Sequence, residues 1–175
     1  MMIKKYEEAK KILSENSDIV FSIGGCDEKT VIKAEDILSL KFPNDYRRFL
    51  KEYGILSVGA EEVYGIVKDD FIDSSVPDAI WYTLTERKEV NMPPYLIVIY
   101  DTTMGELFCL NYKKLNADGE PKVTTYAAGL EEDQTYEVIA ESFGDFLLDR
   151  VSDDVFYVKD SLTGNAVYRI NNKSS

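Results

Sequence analysis

Phe42-Pro43-Asn44-Asp45-Tyr46-Arg47-Arg48-Phe49-Leu50-Lys51-Glu52-Tyr53-Gly54 decides the fold, and the rest of the chain reads outward from it. A proline near the start suits a first helical turn, and Asp45 there complements the positive end of the helix dipole. Tyr46, Phe49, Leu50 and Tyr53 fall at i, i+3, i+4 and i+7, which predicts one buried face. Gly54 supplies the left-handed residue that ends the helix.

Upstream, Ile3 to Ser14 reads as a helix with Tyr6, Ala9, Ile12 and Leu13 on one side, broken by Asn16-Ser17-Asp18. A second helix opens after Asp27, whose carboxylate caps its free N–H groups, with Val31, Ala34, Ile37 and Leu38 as its apolar stripe. Downstream, Glu61 to Val67 predicts a short strand, and Ile80, Trp81 and Leu84 a short helix stopped by Pro93-Pro94. Tyr95 to Tyr100 and Glu106 to Tyr112 form a hairpin around Asp101 to Gly105, followed by a strand at Val123 to Tyr126. Tyr136, Ile139, Ala140, Phe143, Phe146 and Leu147 predict a long amphipathic helix, and Val155 to Ile170 a last hairpin. Helices, then sequential strands, then a helix imply an α+β fold: a central, largely antiparallel sheet flanked by helices. The domain is expected over residues 1–151, with 152–175 as a C-terminal extension.

The 175 residues fit one domain, able to bury about 70% of its unfolded surface without a disulfide or metal staple. The longest apolar run, Tyr95 to Tyr100, is strand-sized and far short of a membrane span. Acids rather than an apolar stretch follow Lys4 and Lys5, so no signal peptide is read at the N-terminus. Cys26 and Cys109 stand alone, without CxxC or Cys/His spacing, and read as ordinary buried or half-buried side chains of a cytoplasmic protein.

Charge is the informative part of the composition. The net charge is -12, spread unevenly: residues 1–59 sum to zero, residues 60–160 to -14 and the last fifteen to +2. Such a field repels phosphate backbones and anionic membranes and attracts a basic partner. Histidine is absent, which removes Ser-His-Asp and Cys-His catalysis and histidine metal sites. No phosphate loop, dinucleotide fingerprint, HExxH or EF-hand loop is present. The acid clusters Glu61-Glu62, Asp69-Asp70, Glu131-Glu132-Asp133 and Asp153-Asp154 match no metal loop, and adjacent acids on a strand point to opposite faces. No cofactor, metal or catalytic residue is therefore expected. Twelve tyrosines and eight phenylalanines interleave with acids or sit at core spacing, which suits a protein-facing surface more than nucleic-acid stacking.

Four blocks together resemble the SMI1/KNR4, or SUKH, superfamily. Ile32 to Leu38 followed by Phe42 to Gly54 is similar to its opening motif, and Glu61-Glu62-Val63-Tyr64-Gly65 to its next strand. Tyr95 to Asn111 resembles its central hairpin, and Glu141-Ser142-Phe143-Gly144-Asp145-Phe146-Leu147 its closing helix, in the same order over about residues 28–151. The hairpin turn Thr103-Met104-Gly105-Glu106 departs from the family's Gly-Gly-Asp-like turn, and residues 152–175 run past its usual end. The resemblance implies an α+β fold with a central antiparallel sheet and no catalytic residues. Its bacterial members are commonly cytoplasmic immunity proteins that bind a cognate polymorphic toxin domain, often a nuclease. Others are interaction modules in cell-wall signalling.

The expected function is thus an immunity protein that neutralises a toxin, a basic nuclease domain, through an acidic surface. The alternative is a regulatory or scaffolding interaction module, and a carboxylate enzyme is a third reading. Expected contacts are Glu61, Glu62, Asp69, Asp70, Asp101, Glu106, Glu131, Glu132 and Asp133, with Tyr64 and Trp81 as aromatic anchors. Tyr46, Phe49, Leu50, Tyr53, Phe143, Phe146 and Leu147 are expected to hold the fold.

Overall fold

The structure is a computed structural model that describes residues 4–59, 61–130 and 134–152. Helix α1 spans Lys5–Glu15 and buries Tyr6, Ala9 and Leu13. Helix α2, Glu28–Leu38, begins where the sequence places it, because the Asp27 carboxylate accepts a hydrogen bond from the Thr30 N–H at 2.8 Å. Its inward stripe is Val31, Ala34, Glu35 and Leu38. Ile37, expected there, is 41% exposed, because the stripe follows the i, i+3, i+4, i+7 rows from Val31 and takes in Glu35. The buried Glu35 carboxylate is neutralised by Arg47 Nη1 at 2.9 Å and Lys41 Nζ at 3.0 Å.

Helix α3, Asn44–Glu52, is the predicted amphipathic segment. Tyr46, Phe49 and Leu50 are fully buried, while Tyr53, just past the helix end, is half-buried against the core. The Tyr46 ring meets Phe42 and Phe143 edge-on at 5.3 and 4.9 Å, which draws the closing helix onto α3.

The strands form two antiparallel sheets. One has the order β1 (Val20–Phe21), β2 (Leu56–Val58), β3 (Glu61–Val63). The other has the order β4 (Leu96–Asp101), β5 (Leu107–Leu115), β6 (Pro121–Tyr126), β7 (Val138–Ala140). They adjoin where the Tyr64 N–H, one residue past β3, donates to the Ile99 carbonyl at 2.8 Å. Between them in sequence lies helix α4, Ala79–Val90, twelve residues where the sequence suggested a short helix. Helix α5 occupies residues 143–152. The long helix predicted from Tyr136 is therefore corrected. Residues 138–140 pair with β6 instead, since Val123 and Thr124 offer a free ladder edge and β-branched Val138 and Ile139 suit a strand. The hairpin predicted over Val155 to Ile170 lies outside the described residues.

Glycine decides one junction. A Cβ on Gly25 would fall 1.6 Å from the Lys51 carbonyl oxygen, and one on Gly65 1.7 Å from that of Gly54. Ile66 N–H donates to the Gly54 carbonyl at 2.9 Å, and Cys26 N–H to that of Leu50 at 3.0 Å. Three stretches of backbone thus meet with no side chain between them. Gly24-Gly25 belongs to this contact, and Gly65 leads directly to the loop before α4.

Candidate functional site

Asp78 fixes the start of α4. It is fully buried, and its Oδ1 accepts hydrogen bonds from the N–H groups of Ile80 and Trp81, each at 2.9 Å. Its Oδ2 accepts from Val67 N–H at 3.2 Å and Ser74 Oγ at 3.4 Å. Burial raises the Asp78 pKa, while these four donors favour its charged form. The cap sets Trp81 and Tyr82 in the first turn of α4, over the junction of the two sheets.

The Trp81 and Tyr82 rings stack at 6.2 Å with an interplanar angle of 21°. Tyr82 meets Tyr64 edge-on at 5.9 Å and lies within the field of the Asp101 carboxylate. Burial first, then the charges of Asp101 and Glu86, push the Tyr82 hydroxyl up to about 12. One helical turn on stands Glu86. Its Oε2 is shut off from solvent and has no hydrogen-bond partner among the described residues. Burial, then the neighbouring charges of Glu89 and Asp101, raise its pKa. Glu62, exposed on β3, adds its field at Tyr64 beside that of Asp101. The site is a half-exposed aromatic ledge in front of carboxylates that repel one another.

Ion pairing separates the two halves of the molecule. Within residues 5–52 six of the ten acids, Glu7, Glu8, Glu28, Glu35, Asp45 and Glu52, are matched by lysine or arginine. Beyond residue 52, Lys122 pairs with Glu141 at 3.2 Å. Glu61, Glu62, Glu86, Glu89, Asp101 and Glu106 have no cationic partner among the described residues. The uneven charge of the sequence thus becomes an uncompensated patch in space.

The structure brings Glu62, Tyr64, Trp81 and Asp101 together around Tyr82. Tyr64 is corrected as an anchor: it is 5% exposed, packed in the core, and holds α3 through its carbonyl, which accepts from the Tyr46 hydroxyl at 2.9 Å. Glu61 is half-buried on β3. Glu106 is exposed at the far end of the β4–β5 turn, its carbonyl accepting from the Thr102 N–H and hydroxyl. Asp69 and Asp70 lie apart, in the loop facing α2. Lys33 donates to the Asp69 carbonyl, and the N–H groups of Asp73 and Ile72, then Lys68 and Lys33, lower the Asp70 pKa. Glu131, Glu132 and Asp133 lie outside the described residues. Sequence reasoning missed Tyr82, Glu86 and Glu89. Their i, i+4, i+7 spacing was the available signal, but it appears only once the helix is carried beyond Leu84.

A second acidic region is a cleft of about 600 Å³ between the starts of α1 and α3 and the β5–β6 turn. Asp45, Asp118, Glu120, Glu141 and Asp145 line it, together with Lys4 and Lys5. Burial is the leading cause of the raised pKa values of Asp45 and Glu120, and Lys4 opposes both shifts. Here the chain supplies its own cations. No group of three or more acidic or cysteine side chains suited to a metal ion occurs among the described residues.

A model of the SMI1-KNR4 cell-wall family, SUKH_6, matches residues 28–147. The match covers more than half of the chain, which belongs to the SMI1/KNR4 superfamily. Among solved structures, the crystal structure of a protein from Pseudomonas syringae pv. tomato is similar, with a TM-score of 0.56 and 14% sequence identity. The likeness covers 80% of this chain and 96% of that one, and at such identity it is a likeness of fold. No curated protein matches the chain. Among the described residues, no helix is long and apolar enough to cross a membrane.

Proposed function

We propose that this chain is a cytoplasmic immunity protein that binds and neutralises a cognate bacterial toxin domain, a basic nuclease, and that it acts by binding rather than by catalysis. The observation that carries the reading is the uncompensated acidic patch around α4 and β4, in a molecule whose other half neutralises its own charge. An acidic surface of this kind mimics the field of a nucleic acid. Opposite fields steer association and exclude partners of like charge. Membership of the superfamily supports a protein-binding role, and the absence of histidine from the sequence removes the commonest general acid and base.

The test is affinity capture of the tagged chain from its own host at low and high salt, with partners identified by mass. One dominant basic toxin domain, recovered less well at high salt and inactive while bound, is expected. Several envelope or signalling proteins, or a partner indifferent to salt, would replace this reading with that of a regulatory module.

A further inference from the structure

We propose that the Trp81–Tyr82 ledge, backed by Glu86 and Asp101, seats one arginine side chain of a basic protein partner; the proposal rests on the protein-binding reading above. The first support is Trp81 itself. It is half-buried on α4 and leans on Tyr82, yet unlike Tyr82 and Leu84 it is not packed against the core. A tryptophan that adds little to the core and is held in place by a capped helix is the kind of anchor that carries binding energy. Every cation–aromatic contact among the described residues uses other rings: Phe71, Tyr6, Tyr95, Tyr100 and Phe146.

The second support is Glu86. A carboxylate oxygen cut off from water and left without a donor costs free energy in the unbound protein. The groups electrostatically tied to Glu86, namely Glu89, Asp101, Tyr82 and the buried Tyr126 and Cys109, supply negative charge or a neutral group and no cation. An arriving guanidinium fits both features. Its plane stacks on the indole and phenol, and its fork of N–H donors faces Asp101, with the charge of Glu86 close behind. A lysine ammonium offers a point charge without the plane, so the seat favours arginine. Charge complementarity sets the rest of the partner's surface: the repulsion of Glu86 by Glu89 and Asp101 becomes attraction once a cation lies between them.

Trp81 is the only tryptophan in the chain, so its emission reports on the ledge directly. The intact protein is titrated with amidated tri-arginine and, separately, with amidated tri-lysine. Tri-arginine is expected to change the emission saturably and to bind more tightly than tri-lysine. The Glu86→Gln/Asp101→Asn double variant should bind tri-arginine about tenfold more weakly, the equivalent of one charge-assisted hydrogen bond. Asp118→Asn/Glu141→Gln, which removes the same charge from the distant cleft, should leave binding unchanged. Glu86→Gln alone serves if the double variant fails to fold. An unresponsive Trp81, equal affinity for tri-lysine, or equal weakening by the two double variants each overturns the seat. The immunity reading is judged separately by capture. A toxin recovered equally well by wild type and by Glu86→Gln/Asp101→Asn leaves that reading standing and removes the seat. A ledge that binds tri-arginine in a protein that captures no toxin does the reverse.

Discussion

Gly65→Ala tests the backbone junction on which the ledge is mounted. The new methyl carbon would lie 1.7 Å from the Gly54 carbonyl oxygen and 3.1 Å from a Leu50 methyl carbon. The first distance is about half of any tolerable contact, and the obstacle is backbone rather than a side chain that swings aside. Relief requires residues 54 and 65 to part, which breaks the Ile66 N–H bond to the Gly54 carbonyl, now 2.9 Å. Overpacking of a tight site costs about 1–3 kcal/mol and a buried amide left unpaired about 1–3 kcal/mol, giving roughly 2–6 kcal/mol in all. Urea unfolding followed by Trp81 emission reads this as a midpoint lowered by about 1–3 M, for a slope of about 2 kcal/mol/M. Gly119→Ala is the control: its φ is +80° but no atom lies within 4 Å of the added carbon, so only about 1–2 kcal/mol of left-handed strain is expected. A Gly65→Ala protein within about 1 kcal/mol of wild type would show that the segments do not meet as described.

The other predictions concern the charges and the ledge. Arg47→Ala leaves the buried Glu35 with Lys41 alone and should cost about 2–4 kcal/mol, whereas Arg47→Ala combined with Glu35→Leu should recover much of it, as a double-mutant cycle in urea would reveal. Glu86 has a folded-state pKa above its ordinary value, so the folded form holds this proton more tightly than the unfolded chain does. Its contribution to stability is therefore greatest below the ordinary carboxylate range and is lost as pH rises through the raised value. Glu86→Gln should accordingly be more stable than wild type at neutral pH, with the difference vanishing in acid; thermal melts across that range showing the opposite trend refute it. Trp81→Ala, outside the core, should cost about 1 kcal/mol or less, against about 3–5 kcal/mol for the fully buried Phe49→Ala, each measured by far-ultraviolet circular dichroism in urea. Charge reversal at Glu61 and Glu62 should slow association with the captured partner and flatten its dependence on salt, in a stopped-flow or surface-binding assay.

The helical half of the fold was legible because its signals are local. Asp27 caps its helix, and the spacing of Tyr46, Phe49 and Leu50 states a buried face without reference to anything distant. The error at residues 136–140 has the opposite origin. Tyr136, Ile139 and Ala140 sit at spacings that fit a helix, but the free edge of β6 recruits this stretch into the sheet, and that edge is a long-range fact. Ile37 and Tyr64 failed for a related reason. Each is apolar enough for either side of the surface, and only the packed neighbours decide. Of the candidate site, Trp81, Asp101 and Glu62 were named from charge and composition, while Tyr82 and Glu86 depend on how far α4 runs. The separation of Asp69 and Asp70 from the others depends on a loop that turns toward α2, which no spacing rule encodes.

The split between paired and unpaired acids gives salt two opposed roles. Dissolved ions weaken the pull between this face and a basic partner, yet the same ions relieve the crowding of Glu86, Glu89 and Asp101 in the free molecule. The solitary protein is then most at ease in concentrated salt, where its complex is loosest. In dilute solution it is tensed by its own charge, and a partner bringing cations removes that tension as it docks. The face is thus loaded in advance, and association gains from a discomfort already present in the unbound fold.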